Sequence, residues 1–368
     1  MKQALVLSTS NIESGLSIVL EILKEMGIDP LLMTYRPLKD SEISIFGDFP
    51  QAKWSPLCPY GRVFPPKLRE ILALVKNLML RKDKLVINLV MRELPIPSHI
   101  ANMHFLPSKL MAYVPYIADS YGLHLSTLDM ALSRPYLRLY KLALKCCNVV
   151  LANSKFTKRI LYEALGKINC SVLYPPVKVR HSYLPSYPKK NWVITISRFS
   201  KEKRLERIFA VSNKIRNAKF IVIGMSGDKE YYQWLVKKAK QLPANNVKLF
   251  SNVNRITLER LILSSKVYLH TMPFEHFGIA VVEAMALGAV PIVHKSGGPW
   301  EDILDMRQGV YGYAYENSEE AVGYVNEILS NEIIRREVAK RAFRRSLIYN
   351  TQHFKQRFKN IVNTVLDS

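Results

Sequence analysis

Short apolar runs alternate with amphipathic stretches along this chain, and the alternation runs once, breaks, and then starts again. In the first half, residues 4–7 and 30–34 read as strands with a helix over 14–26 between them. Strands over 85–90 and 149–152 follow, and a helix opens at Asn153 or Ser154, either of which can cap it. That rhythm specifies an α/β fold with a doubly wound parallel sheet. From 175 to 190 the sequence turns proline-rich and basic, with Pro175, Pro176, Pro185 and Pro188, and reads as a connection. The alternation then resumes as strand 193–197, helix 205–214, strand 220–223, helix 229–241, strand 247–250, helix 258–263 and strand 267–270. From Glu319 onward the periodicity is almost wholly helical. A chain of 368 residues with 48% apolar content is long enough for two cores. The expected division is a first domain over 1–174, a hinge over 175–190, a second domain over 191–345 and a final helical segment over 346–368.

Composition narrows the classes. Cys58, Cys146, Cys147 and Cys170 show no CxxC or paired metal spacing, and two of them are sequence neighbours, so reduced thiols in a cytosolic protein are expected. The opening MKQALVLSTSN lacks the apolar core of a signal peptide. The longest nearly apolar stretch, 279–293, is interrupted by Glu283, Gly288 and Pro291 and falls short of the roughly 20 residues a spanning helix needs. A net charge of +23 calls for an anionic partner, whether nucleic acid, a phosphorylated substrate or an acidic membrane surface. Nucleic acid is disfavoured, because no RNP-like, KH-like or finger-like signature is present and aromatic and basic residues do not interleave in one segment.

Two segments carry chemistry. Residues 275–288 read EHFGIAVVEAMALG, in which Gly278 permits close backbone approach and the following residues form a helix whose N-terminus suits a diphosphate. Within 279–287 every residue but Glu283 is apolar, so one carboxylate is buried with the helix and requires partners. A sugar or ribose hydroxyl pair would supply them, and so would an ordinary ion pair to an arginine. Reckoned along a continuous helix, Glu275 and Glu283 stand about 12 Å apart, wider than the carboxyl pair of a glycosidase. The second segment, 197–207, reads SRFSKEKRLER and places Arg198 and Lys203 just beyond a strand end, where two cations can hold a diphosphate leaving group. A solvated loop in a basic protein is the alternative. No DxD motif appears, which fits an enzyme without a metal or other cofactor.

Together, EHFGIAVVE with its two glutamates and the Arg198 and Lys203 pair resemble the donor site of glycosyltransferase family 4, strongly over 191–293 and weakly elsewhere. Gly224 after a strand, NVKLF at 246–250 and SGGP at 296–299 belong to the same resemblance. The run EHFGIAVVEAMALGAVPIVHKSGGPWEDIL is similar to the α-1,2-mannosyltransferases that extend the dolichol-linked core oligosaccharide of asparagine-linked glycosylation. The resemblance implies the GT-B fold, two Rossmann-like doubly wound parallel-sheet domains with a cleft between them, the last helix crossing back to the first domain. It further implies that Arg198 and Lys203 bind the donor diphosphate, that Glu283 bonds the ribose hydroxyls, that Glu275 contacts the donor sugar, and that His276, Phe277, Gly278, Ile279 and Gly224 line the donor site. His104 in NMHFLPSKL is similar to a histidine that orients the donor sugar or acceptor. Such enzymes retain anomeric configuration without a metal. The first strand-helix turn departs from the family, with Gly15 alone where relatives carry paired glycines, and acceptor contacts there are not carried over.

A lipid-linked acceptor asks for a basic surface on the first domain. Arg134, Arg138, Lys141 and Lys145 share one helical face, flanked by Leu137, Tyr140 and Leu144, and a second basic and apolar stretch covers 67–82. Both suit an anionic membrane surface, and both also suit a solvated helix face. The expectation is a cytoplasmic, peripherally membrane-associated transferase that moves a hexose, mannose from GDP-mannose foremost, to a lipid-phosphate-linked glycan. A UDP-hexose donor with a soluble acceptor, a nucleotide-sugar epimerase and a non-catalytic basic binding protein remain as alternatives.

Overall fold

The structure, a computed structural model, describes residues 3–8, 14–34, 54–56, 84–89, 98–103, 108–123, 126–225, 227–242 and 245–368. The chain divides into two compact units, one of Met1–Pro176 with Gln352–Ser368 and one of Val177–Thr351. Most of the proline-rich stretch expected as a hinge therefore lies in the second unit. It is bound there by Val177, whose N–H donates to Tyr349 O at 2.9 Å, and by Lys189, whose Nζ donates to Leu287 O at 2.9 Å.

In the first unit, strands β1 (Gln3–Ser8), β2 (Asp29–Thr34), β3 (Trp54–Pro56), β4 (Leu85–Asn88), β5 (Ile100–Met103), β6 (Val149–Ala152) and β7 (Cys170–Val172) form a parallel sheet in the order β3-β2-β1-β4-β5-β6-β7. Ala4, Leu5, Val6 and Leu7 of β1 are all fully buried, as a central parallel strand covered on both faces requires. The helix Ser14–Glu25 packs Leu16, Val19, Leu20 and Leu23 onto this sheet. The final helix, Thr351–Leu366, joins the same core through Phe354, Phe358, Val362 and Val365, a stripe at the spacing of one helix face. Its Lys355 pairs with Glu21 and Glu25, and Lys359 Nζ lies 2.7 Å from Glu25.

The second unit is built on β8 (Lys190–Ile196), β9 (Lys219–Gly224), β10 (Val247–Ser251), β11 (Ser265–Leu269), β12 (Val290–His294) and β13 (Tyr313–Tyr315), in the order β10-β9-β8-β11-β12-β13, every pair parallel. Short polar side chains start its helices. Asp228 caps Tyr231 N, Asn254 caps Thr257 N, Asn317 caps Glu320 N and Asn331 caps Ile334 N. Buried Asn246, in the NVKLF run, donates from Nδ2 to the carbonyls of Ser212, Ile215 and Ala218, tying the end of one helix to the start of β9. Cys146, Cys147 and Cys170 are free thiols. Among the described residues no helix is long and apolar enough to cross a membrane.

Because Phe358 is fully buried where the last helix meets the first unit, Phe358→Ala leaves a cavity that its neighbours fill only in part. The variant is expected to lose about 3–5 kcal/mol of stability, measured by denaturant unfolding.

Candidate functional site

The second sheet changes winding direction between β8 and β11. From β8 the chain steps outward through β9 and β10, and from β11 it steps the other way through β12 and β13. In such sheets a ligand is received beyond the carboxyl ends of the two strands at that switch point. Here those ends carry the two segments singled out in the sequence.

Beyond β8, buried Phe199 anchors the loop and the 3-10 turn Lys201–Lys203 presents Lys203. Arg204 reverses the chain at φ 50°. Gly224, at the end of β9, lies under this loop: a Cβ there would stand 2.4 Å from Ser197 O and 2.7 Å from the Phe199 ring. Only glycine lets the basic loop come this close. Arg198 is mostly exposed, with its guanidinium 3.7 Å from Glu202.

Beyond β11, the chain runs through His270, Thr271 and Phe274 to Glu275. Thr271 Oγ1 donates to Lys203 O at 2.7 Å, fastening this loop to the other one. Phe274 N donates to Ser296 Oγ at 2.9 Å, and Gly298 N donates to Glu275 O at 2.8 Å. Cβ atoms on Gly297 and Gly298 would stand 2.5 Å from Glu275 O and 2.3 Å from His276 O, so the SGGP run serves as a backbone clamp on the Glu275 loop.

Glu275 is not on the helix. Gly278 sits at φ 98° and the helix begins only at Ile279, running Ile279–Ala286, so the 12 Å reckoned along a continuous helix does not hold and neither does the comparison with a glycosidase pair made from it. The left-handed glycine turns the chain before the helix starts. Its first turn has no side-chain cap. His276 and Phe277 are buried, Phe277 edge-on to Tyr349 at 5.3 Å, while Ile279 is half-buried.

The Glu275 carboxylate holds Lys203 Nζ at 2.5 Å and stands 3.6 Å from His270 Nε2. Burial alone would raise its pKa. The Lys203 ammonium and His270 outweigh that and hold it well below the ordinary carboxylate range. Glu283 is half-buried and accepts from Arg255 Nη1 at 2.9 Å. Arg255 also donates from Nε to Glu259 at 2.8 Å, and Arg180 lies 3.5 Å from Glu259. The ordinary ion pair expected for Glu283 is therefore formed, with Arg255.

The structure thus brings Arg198, Lys203, Gly224, Glu275, His276, Phe277, Gly278, Ile279 and Glu283 onto neighbouring loops and one helix of a single unit. His104 lies outside the described residues, as does the stretch 67–82. Arg134, Arg138 and Lys145 are exposed and Lys141 is half-buried on the helix Thr127–Lys145 of the first unit. The apolar flank expected beside them is corrected: Leu137, Tyr140 and Leu144 are buried in their own unit, and the exposed apolar side chains next to the basic face are Leu139 and Leu142, at 59% and 58%. Periodicity marks both flanks alike and does not say which one is covered.

Sequence reasoning missed His270, Arg255 and His294. His270 was absorbed into its strand, because the switch point that gives its place a meaning is set by the strand order. Half-buried His294 shares a contact with Ser296 Oγ at 2.7 Å through Nδ1. Burial, with Arg207 and His270 nearby, lowers its pKa to about 4. A group kept neutral in the fold but protonated when unfolded removes stability as pH falls from about 6.5 to about 4. His294→Asn is expected to flatten the drop in thermal midpoint over that window relative to the unaltered chain, as scanning calorimetry at a series of pH values would show.

Residues 180–345 match the family model described as glycosyl transferases group 1. The chain is 27% identical over 245 residues to the GDP-Man:Man(3)GlcNAc(2)-PP-Dol alpha-1,2-mannosyltransferase of Homo sapiens, covering 61% of this chain and 50% of that protein. It is 24% identical over 253 residues to the enzyme of the same name from Dictyostelium discoideum, covering 62% and 50%. The chain spans about half the length of these curated relatives. Among solved structures, Anabaena Alr3699/HepE in complex with UDP and glucose superposes with a TM-score of 0.70 at 17% identity, over 99% of this chain and 100% of that one. A sucrose-phosphate synthase from Thermosynechococcus elongatus reaches 0.71 at 13% identity, over 100% of both chains. The chain thus shares the fold of the GT-B glycosyltransferases, and its residues 180–345, which hold the switch-point cluster, are similar to glycosyl transferases group 1.

Proposed function

We propose that the chain is a metal-independent, retaining hexosyltransferase that takes mannose from GDP-mannose and passes it to a lipid-phosphate-linked glycan at the cytoplasmic face of a membrane. The observation that carries the reading is the switch-point cluster, in which Lys203 and Arg198 stand at the end of β8 while Glu275 and Glu283 follow β11. In this reading the two cations receive the donor diphosphate and take up the charge that develops as the sugar departs, the task a metal performs in other transferases. Glu275 faces the donor sugar, beside the backbone of Phe277 and Gly278. Glu283 receives the ribose hydroxyls once Arg255 yields part of its hold. The acceptor oxygen bonds to the anomeric carbon on the face that the diphosphate oxygen leaves.

The names of the curated relatives, which print GDP-mannose as donor and a dolichol-linked glycan as acceptor, support the choice of sugar and lipid. The lipid side of the reading rests on the helix Thr127–Lys145, where Arg134, Arg138 and Lys145 are exposed next to Leu139 and Leu142. Cations beside insertable leucines suit an anionic leaflet.

Thermal unfolding with GDP, GDP-mannose, UDP and UDP-glucose tests the donor. GDP at about 100 times its Kd is expected to stabilise the chain by about 2.7 kcal/mol; a shift with uridine ligands alone would change the donor, and no shift with any of them would overturn the reading. Glu283→Ala is expected to abolish release of GDP from GDP-mannose while leaving the fold intact, because Arg255 keeps Glu259 as a partner. Exchange of Arg134, Arg138 and Lys145 for glutamine is expected to weaken binding to phosphatidylserine vesicles by about 3 kcal/mol in a sedimentation assay, at roughly 1 kcal/mol per basic residue.

A further inference from the structure

Lys203 and His270 both address the same oxygen of Glu275, Lys203 Nζ at 2.5 Å and His270 Nε2 at 3.6 Å. They differ in how firmly they are held. The lysine ammonium rides on a flexible four-carbon stem, and only the Lys203 backbone is tied, through its carbonyl to Thr271 Oγ1 at 2.7 Å. His270 is fixed from both sides of its peptide: its N–H donates to Ile292 O at 2.9 Å, and its carbonyl accepts from Tyr315 OH at 2.8 Å. It is 7% exposed, and its Nδ1 is buried with no hydrogen-bond partner among the described residues.

That bare nitrogen decides the tautomer. A neutral imidazole carries one ring proton. A buried N–H without an acceptor forfeits a full hydrogen bond. The proton is therefore placed on Nε2, facing the carboxylate, and Nδ1 keeps only a lone pair. A diphosphate carries more negative charge than one carboxylate, and when it arrives beside Lys203 it draws the ammonium away from Glu275. A carboxylate this deeply placed is costly to leave unpaired.

We propose that His270 is a positioning residue: it holds the Glu275 carboxylate toward the donor sugar after bound diphosphate has taken Lys203, so that one acid passes from a lysine to a histidine during donor binding. This rests on the function proposed above. The contact between Lys203 and Glu275 then holds the lysine until diphosphate takes it. Thr271 keeps the lysine backbone in place while its side chain swings.

The test uses the full chain and GDP-mannose, following GDP released as water takes the mannose in place of the acceptor. His270→Leu is expected to lower kcat about 100-fold, the cost of a misplaced reacting group, with donor KM little changed. His270→Gln, whose amide N–H reaches the same oxygen, is expected to recover most of that loss. Wild-type kcat in His270→Leu, or equal losses in both variants with a matching fall in thermal midpoint, would overturn the role of His270 while the donor-site reading stands. A wild-type chain that releases no nucleotide and shows no thermal shift would overturn both. Should His270→Leu not fold, His270→Asn, whose shorter amide stops short of the carboxylate, takes its place against His270→Gln.

Discussion

A carboxylate taken out of water must be held, and the contacts around the switch point of the second sheet converge on holding Glu275. Its oxygen faces an ammonium and an imidazole, its carbonyl is claimed by Gly298 N, and the residue before it is pinned to Ser296. None of these partners is a sequence neighbour. They are gathered by the parallel sheet, which delivers the ends of β8, β11 and β12 to one edge and leaves their loops to interlock.

That interlocking is possible because side chains are missing where loops cross. Gly224 lets the basic loop lie against β9, and Gly297 and Gly298 let the SGGP turn meet the Glu275 backbone almost atom to atom. Gly278 then turns the chain through a left-handed conformation so that the short apolar helix can start in a new direction. The acid and the helix that follow one another in sequence are thereby separated in orientation. The helix buries Val281, Val282, Ala284 and Met285 and leaves Glu283 at its edge, where Arg255 reaches it.

Much of this was legible in the sequence, for identifiable reasons. Short, largely apolar runs between turn-forming residues located β1, β2, β4, β6, β8, β9, β10 and β11, since the buried strands of a parallel sheet are apolar on both faces, although the edge strand β10 carries Lys248 and buries only Val247. Strands β7 and β13 are three residues long and leave too little pattern. Strand β12 contains Pro291, which argues against a central strand although the strand forms here between β11 and β13. The helix Arg255–Ser264 begins three residues before the stretch read for it, because Asn254 caps it while Ile256 faces solvent and blurs the apolar face. At the site, residue types singled out Lys203 and Glu283 as candidates, and the family resemblance added Glu275. The partners that hold them, His270 and Arg255, are set by tertiary geometry, which no local pattern encodes.

The last helix completes the core of the first unit, and this bears on how the chain acquires its structure. Glu21 and Lys355, which pair there, are separated by 334 residues. Leu16 and Val19 emerge from the ribosome long before Phe354 and Phe358 exist to cover them. Until then an apolar face of the early unit stays open to water and to other chains, while every element of the second unit is already synthesised and free to fold. The unit made first is the one finished last.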